Sequence, residues 1–288
     1  MIKGVVFKAL GGYYFVRTGK DEYRCYLRGT LRKKGQVFVG DKVAFLPQEE
    51  HTGVIEKIEP RETQLMRPPV VNVNQAVIIF SLTQPKPNLF LLDRFLLQAE
   101  VAGLRTLICF NKIDLVESSN VPQIYETVGY PLIITSTKTG QGINELSSAL
   151  KDNISVLAGP SGVGKSSLLN AVQPGLSLKT GEISTKLKAG KHTTRHVELL
   201  RLDNGGLVAD TPGFSNLYLP EEIKGTDLVY YFPDFNDLSL NCRFSGCLHN
   251  REPGCAVKEG VLDGRIIASR YEHYIILLNE VTKRERRY

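Results

Sequence analysis

The sequence predicts an α/β fold: a doubly wound nucleotide-binding domain with its motifs in permuted order, set between a small N-terminal β-barrel and a C-terminal module built around cysteines. Three observations predict it. Continuous apolar runs alternate with helical spacing between residues 70 and 225, the rhythm of a mainly parallel sheet covered on both faces. A base-reading tetrapeptide, Asn111-Lys112-Ile113-Asp114, comes before a phosphate loop, Gly159-Pro160-Ser161-Gly162-Val163-Gly164-Lys165-Ser166. Three cysteines and a histidine crowd into the fourteen residues from Cys242 to Cys255.

The elements follow in order. Residues 1–65 hold five short strand-like runs, Val5–Phe7, Tyr13–Val16, Tyr23–Leu27, Lys42–Phe45 and Gly53–Glu56, punctuated by Gly11-Gly12, Thr18–Asp21 and Val39–Asp41. Five strands in so short a span predict a barrel of the OB type. A linker is expected over Pro60–Pro69. Ala76–Phe80 reads as a strand buried on both faces, Asn88–Ala102 as a helix, Leu104–Phe110 as a second buried strand, and Pro131–Thr135 as a third. Ile143–Leu150 has helical spacing, Ile154–Ala158 is a strand running into the phosphate loop, and Lys165–Val172 opens the next helix. His196–Leu202 and Gly206–Ala209 form an antiparallel pair around the Asp203-Asn204-Gly205 turn. From residue 230 to 288 a Gly/Pro/Cys-rich stretch leads to an amphipathic helix over Arg265–Thr282 with a basic end.

Composition limits the function classes. With 42% apolar and 23% charged residues the chain is an ordinary globular protein. No apolar run reaches the length of a membrane span, and no secretory leader pattern opens the sequence, so a cytoplasmic protein without a membrane partner is expected. The formal net charge is +6, with basic clusters at Arg28, Arg32, Lys33 and Lys34 and at Lys283, Arg284, Arg286 and Arg287, which suit a polyanionic partner. Cys25 and Cys109 lie in apolar strand surroundings and read as buried thiols.

The phosphate loop sits between a buried strand and a helix, the context its chemistry needs. Its glycines turn backbone amides toward phosphate, Lys165 reaches the β- and γ-phosphates, and Ser166, followed by Ser167, offers a hydroxyl to Mg²⁺. After the second buried strand, Asp114 accepts from the N1–H and exocyclic amine of guanine together. Adenine would leave that carboxylate unpaired. Asn111 suits the Hoogsteen edge, the Lys112 stem covers a ring face, and Thr135-Ser136-Thr137-Lys138 fits a loop backing the base. Asp210-Thr211-Pro212-Gly213 follows a strand. Asp210 is expected to hold Mg²⁺ through water, and the Gly213 amide to meet the γ-phosphate. Between the loop and this sensor, Gly175–Thr194 reads as a switch segment in which Thr193 or Thr194 ligates Mg²⁺. Phe214 stands where many GTPases carry a water-orienting glutamine. His192 is a candidate to help hydrolysis, and an exposed loop histidine fits that position as well.

An ordinary GTPase places the phosphate loop first and the base reader near its end. Both motifs grip one nucleotide, so the reversed order predicts a circularly permuted P-loop GTPase domain. The spacing Cys242-x4-Cys247-x-His249-x5-Cys255 supplies three thiolates and an imidazole, a set suited to one closed, structural Zn²⁺ in a helical module. Arg243, Arg251 and Lys258 interleave those ligands.

Taken together, this order of motifs between a small barrel and a Cys/His module resembles the circularly permuted ribosome small subunit-dependent GTPase A family, known as RsgA, YjeQ or YloQ. Gly190-Lys191-His192-Thr193-Thr194, Asp210–Phe214 and the zinc ligands share in the resemblance, which covers nearly the whole chain. It implies a GTP hydrolase with Mg²⁺ and GTP or GDP in its site, stimulated by the 30S subunit during late maturation, its barrel and zinc module gripping 16S rRNA. Nothing in the sequence calls for more than a monomer. A guanine-nucleotide-sensing RNA-binding module with negligible turnover is the alternative, and Phe214 keeps it open. A nucleoside monophosphate kinase shares the loop but lacks the reader.

Overall fold

The computed structural model describes residues 1–32, 36–66, 69–176, 178, 197–210, 219 and 223–286. The N-terminal strands are β1 (Ile2–Leu10), β2 (Tyr13–Thr18), β3 (Asp21–Leu27), β4 (Lys42–Pro47) and β5 (Thr52–Ile58), with a helical turn α1 (Gly29–Arg32) after β3. They pair in the order β1-β2-β3-β5-β4, and β4 returns to β1, which closes the barrel. Only β3 and β5 run parallel. Val6, Val16, Cys25, Val43, Phe45 and Ile55 fill the interior, and burial raises the Cys25 thiol to about 11. Gly53 is required by space: a Cβ there would stand 2.8 Å from the Phe45 ring.

The expected linker is a fastening. A two-stranded hairpin, β6 (Gln64–Met66) with β7 (Pro69–Val71), occupies it. Asp41, fully buried, accepts both Arg61 Nε at 2.8 Å and Nη2 at 2.9 Å, and Asn72 Nδ2 donates to the Gly40 carbonyl at 2.9 Å. The Gly40 backbone, at φ +95°, passes so close to Val71 that a Cβ would meet its carbonyl oxygen at 2.0 Å. These bonds fix the barrel to the nucleotide-binding unit.

That second unit contains β8 (Gln75–Ser81), α2 (Leu89–Val101), β9 (Arg105–Asn111), α3 (Val121–Val128), β10 (Leu132–Ile134), α4 (Ile143–Leu150), β11 (Ile154–Ala158), α5 (Lys165–Val172), β12 (Glu198–Arg201) and β13 (Leu207–Asp210). Its sheet order is β10-β9-β8-β11-β13-β12. The first five of these strands are parallel neighbours, and β12 is antiparallel to β13. All seven residues of β8 are buried. Its two-residue alternation sends Ala76, Ile78 and Phe80 into a core with α2 and Val77 and Ile79 into a core with α4 and α5. Asn88 caps α2, its side chain accepting from the Leu91 amide.

The two sheets are continuous. β1 has a register shift between Val6 and Lys8, and beyond it Lys8 pairs with Glu198 of β12, backed by an ion pair of 3.0 Å. Phe7, turned out of the barrel by this bulge, packs in the same core as Val197 and Leu199.

At the C-terminus lie α6 (Asn236–Ser239), α7 (Ala256–Leu262) and α8 (Ala268–Glu285). Phe232, Phe235, Val257, Tyr274, Leu277 and Val281 form their core, joined by Leu97 of α2. Arg270 is buried and makes the junction: its Nη1 donates to Asp93 of α2 at 2.6 Å and its Nη2 to Asp234 at 2.6 Å. Arg94 and Glu280 add a two-point contact, both bonds at 2.6 Å. Among the described residues no helix is long and apolar enough to cross a membrane.

Candidate nucleotide and metal sites

Because β8, β9, β10, β11 and β13 run the same way, the segments leaving them emerge at one edge of the sheet, where ligands of such folds bind. Asn111 ends β9, Thr135-Ser136 come after β10, Gly159 comes after β11 and Asp210 ends β13. The sequence motifs therefore meet in space although the chain visits them in permuted order.

The phosphate loop turns through left-handed glycines, with φ +132° at Gly159, +82° at Gly162 and +100° at Gly164. Two are dictated by neighbours. A Cβ on Gly159 would lie 2.0 Å from the Ile79 carbonyl oxygen, and one on Gly164 would lie 2.4 Å from Asn111 Nδ2. Val163 is buried and packs with Leu168 and Leu169, while Ser161 and Gly162 are exposed. Lys165 and Ser166 open α5 and are both buried. Lys165 Nζ donates to the carbonyls of Gly159 at 2.7 Å and Pro160 at 2.8 Å. Burial lowers its pKa to about 8, so the charge is held at a cost that a phosphate would relieve.

The reader is bound directly to this loop. Asn111 Nδ2 donates to the Val163 carbonyl at 2.8 Å, and its Oδ1 accepts from Thr135 Oγ1 at 3.1 Å. One amide hydrogen of Asn111 remains for a ligand. Lys112, at φ +65°, donates through Nζ to the Gly162 carbonyl at 2.6 Å and the Gln84 carbonyl at 2.5 Å. Its stem is thereby stretched from reader to loop. Asp114 sits exposed in a short 3₁₀ turn, Ile113–Leu115. Ser136 Oγ donates to Asp114 Oδ1 at 2.6 Å and accepts from the amides of Lys138 and Thr139, both at 3.2 Å. Thr137 and Lys138 form the exposed rim of that loop. Sequence reasoning did not assign Thr135 its bond to Asn111, nor Gln84 any place here. Thr135 could have been found, since it opens the quoted loop. Gln84 acts through its backbone and leaves no side-chain signal. His192, Thr193, Thr194, Gly213 and Phe214 lie outside the described residues, and of Asp210 only the backbone is described.

In the C-terminal module, one donor atom from each of Cys242, Cys247, His249 and Cys255 lies within 4.8 Å of the others. His249 Nδ1 is 3.5 Å from Cys242 Sγ and 3.4 Å from Cys255 Sγ, and those two sulfurs are 3.9 Å apart. A tetrahedron with metal–sulfur bonds of about 2.3 Å and a metal–nitrogen bond of about 2.05 Å requires separations near 3.8 Å and 3.5 Å. The donors fit a metal ion, and no disulfide joins them. The surrounding bonds hold the cage in shape. Tyr271 and Tyr274 donate to the His249 and Leu248 carbonyls at 2.8 and 3.2 Å, and Glu252 accepts from the Leu248 and Asn250 amides at 3.1 and 2.9 Å. Of the basic residues near the ligands, Lys258 is turned to the Asn250 carbonyl at 3.4 Å and Arg243 lies over the Phe244 ring. Arg28 of the barrel pairs with Glu56.

Two family models match the chain: RsgA GTPase over residues 58–220 and RsgA N-terminal domain over residues 3–55. The chain is 49% identical over 288 residues to the small ribosomal subunit biogenesis GTPase RsgA of Moorella thermoacetica, covering 99% of each chain. To the protein of that name in Alkaliphilus metalliredigens it is 46% identical over 294 residues, covering 100% of both. Among solved structures, YjeQ from Thermotoga maritima superposes with a TM-score of 0.85 at 38% identity over 98% of each chain. YloQ, described as a circularly permuted GTPase, superposes with a TM-score of 0.83 at 38% identity, over 99% of this chain and 96% of its own.

Proposed function

The chain belongs to the RsgA GTPase family and is a GTP hydrolase, and we propose that it acts on the small ribosomal subunit during its maturation. The observation that carries this reading is the bonding of the base reader to the phosphate loop, Asn111 to Val163 and Lys112 to Gly162, which forms one nucleotide site from two halves in permuted order. Asp114 reads guanine, with Ser136 aligning its carboxylate. The Lys112 stem lies against the base, and Asn111 offers its remaining amide hydrogen to N7. Lys165 and the loop amides, through the amino end of α5, hold the β- and γ-phosphates. Ser166, Asp210 and Thr193 or Thr194 would hold Mg²⁺, which when bound neutralises developing charge on the phosphate oxygens. Gly213 senses the γ-phosphate, and His192 helps the attacking water in place of the missing glutamine. Cys242, Cys247, His249 and Cys255 would hold one Zn²⁺, whose four protein ligands leave it a structural role.

The barrel and the metal-bearing module then serve as the two grips on 16S rRNA, as their basic residues suit. The protein works in the cytoplasm as a monomer. GTP turnover is measured with and without purified small subunits at several salt concentrations. Stimulation by subunits that fades as salt rises is expected. A high rate without subunits, or no stimulation by them, overturns the reading, and the latter would favour a nucleotide-sensing RNA binder, the reading that Phe214 keeps open.

A further inference from the structure

β8 lies in the sheet between β9, which carries the base reader, and β11, which carries the phosphate loop. The turn that leaves its carboxyl end is therefore wedged between the two halves of the site, yet no motif covers it. One hydroxyl sets its shape. Ser81 is fully buried and stands beside Asn111 in the β8–β9 register. Its Oγ accepts from the amides of Thr83 at 3.2 Å and Gln84 at 3.0 Å. That fold presents the Gln84 carbonyl to Lys112 Nζ at 2.5 Å, while Gly162 holds the same ammonium at 2.6 Å. Pro85 closes the gap, its Cδ 3.9 Å from where a Cβ of Gly162 would stand. An ammonium has three hydrogens, and two of those on Lys112 go to carbonyls fixed by backbone. The flexible stem is thus kept on one course instead of sampling its rotamers.

We propose that Ser81 is a positioning residue for guanine recognition: through the Leu82–Gln84 turn it fixes the Lys112 stem along the plane of the base and so tightens base binding without touching the nucleotide. This rests on the reading of Asn111–Asp114 as the guanine reader. Without the hydroxyl, the Thr83 and Gln84 amides lose their acceptor, and the Gln84 carbonyl loses its aim.

The test is a double-mutant cycle on the full chain, titrating a fluorescent GDP analogue against wild type, Ser81→Ala, Lys112→Ala and the double variant. Ser81→Ala is expected to weaken GDP binding by about five- to twentyfold, the worth of one or two hydrogen bonds. In the Lys112→Ala background the same substitution should cost less than about twofold, because nothing remains to be positioned. A merely structural role would give equal losses in both backgrounds. Thermal melts keep the comparison to folded protein, and if Ser81→Ala does not fold, Ser81→Cys, whose sulfur is too weak an acceptor to hold both amides, replaces it in the cycle. Equal losses, or unchanged affinity in the Ser81 variant of a chain whose wild type binds GDP, overturn the role of Ser81 alone. A wild type that does not bind GDP overturns the guanine reading and this one with it.

Discussion

Two ion pairs of equal length fasten α8 to α2, and removing each in turn measures what burial does to a charge. Arg270 reaches Asp93 and Asp234 at 2.6 Å with side-chain exposures of 2%, 1% and 8%. Arg94 reaches Glu280 at 2.6 Å with exposures of 12% and 43%. Replacing Arg270 by methionine keeps an unbranched stem but removes the guanidinium that lies over Phe232 and strands two carboxylates in the interior, where Asp93 keeps His273 and Tyr125 as neighbours. Losing one partner of a buried pair costs about 3–5 kcal/mol, because the remaining charge is desolvated and uncompensated. Removing the carboxylate of the wetter pair, as in Glu280→Ala, should cost at most about 1 kcal/mol. The chain has no tryptophan, so urea unfolding is followed by far-UV circular dichroism, and the transition that shifts is assigned to the C-terminal module by its loss after metal chelation. A loss under about 1 kcal/mol for Arg270→Met would mean that water reaches the cluster, and equal losses for the two variants would refute the burial argument altogether.

Gly164→Ala should abolish nucleotide binding, since φ is +100° there and the new Cβ would stand 2.4 Å from Asn111 Nδ2; a GDP titration that shows wild-type affinity contradicts this. Burial lowers Lys165 to about 8, and a bound phosphate would restore its proton. Affinity for GDP should therefore fall as pH rises through 8, and calorimetry at pH 8.5 in buffers of different ionisation heat should show proton uptake that Lys165→Arg abolishes. Purified protein should carry about one zinc per chain by elemental analysis, and Cys247→Ser or a strong chelator should lower the melting temperature of the C-terminal module while GDP binding persists. A full zinc content in Cys247→Ser would sink that assignment.

The parts of the molecule that the sequence revealed are those written in side-chain periodicity and in local spacing. Asn88 and Ala102 bound α2 as expected because a cap residue and a change of period both mark a helix. The parallel strands were legible as apolar runs because both faces are covered. The apolar period of α3 is too brief to stand out in the sequence, although Pro122 near its start and Gly129 at its end are start and stop signals. The β6–β7 segment looks like a linker in the sequence because Pro60, Pro68 and Pro69 bound it, and its own pairing is supplemented by a bridge from Val70 to Val39 of the barrel. Long-range partners leave no local trace. Asp93 and Arg270 stand 177 residues apart, and each alone reads as a solvated charge. The Gln84 carbonyl is a backbone atom, present at every position and singled out only by where Ser81 turns it.

The permutation leaves the nucleotide site intact for a topological reason and changes what surrounds it. Every strand that feeds the site ends at one edge, so which strand comes first along the chain does not alter where the motifs meet. β10 is joined to β11 through α4, and the break falls between β13 and β8, which are separated by β11 in the sheet. The new ends then fall at informative places. The barrel enters at the amino end of β8 and adds its own β1 to β12, the strand that comes after the expected switch segment. The chain leaves at Asp210, beside the expected sensor, and its last helix returns to α2, the helix that comes after the Ser81 turn. Each flanking module thus contacts an element that begins at the nucleotide site.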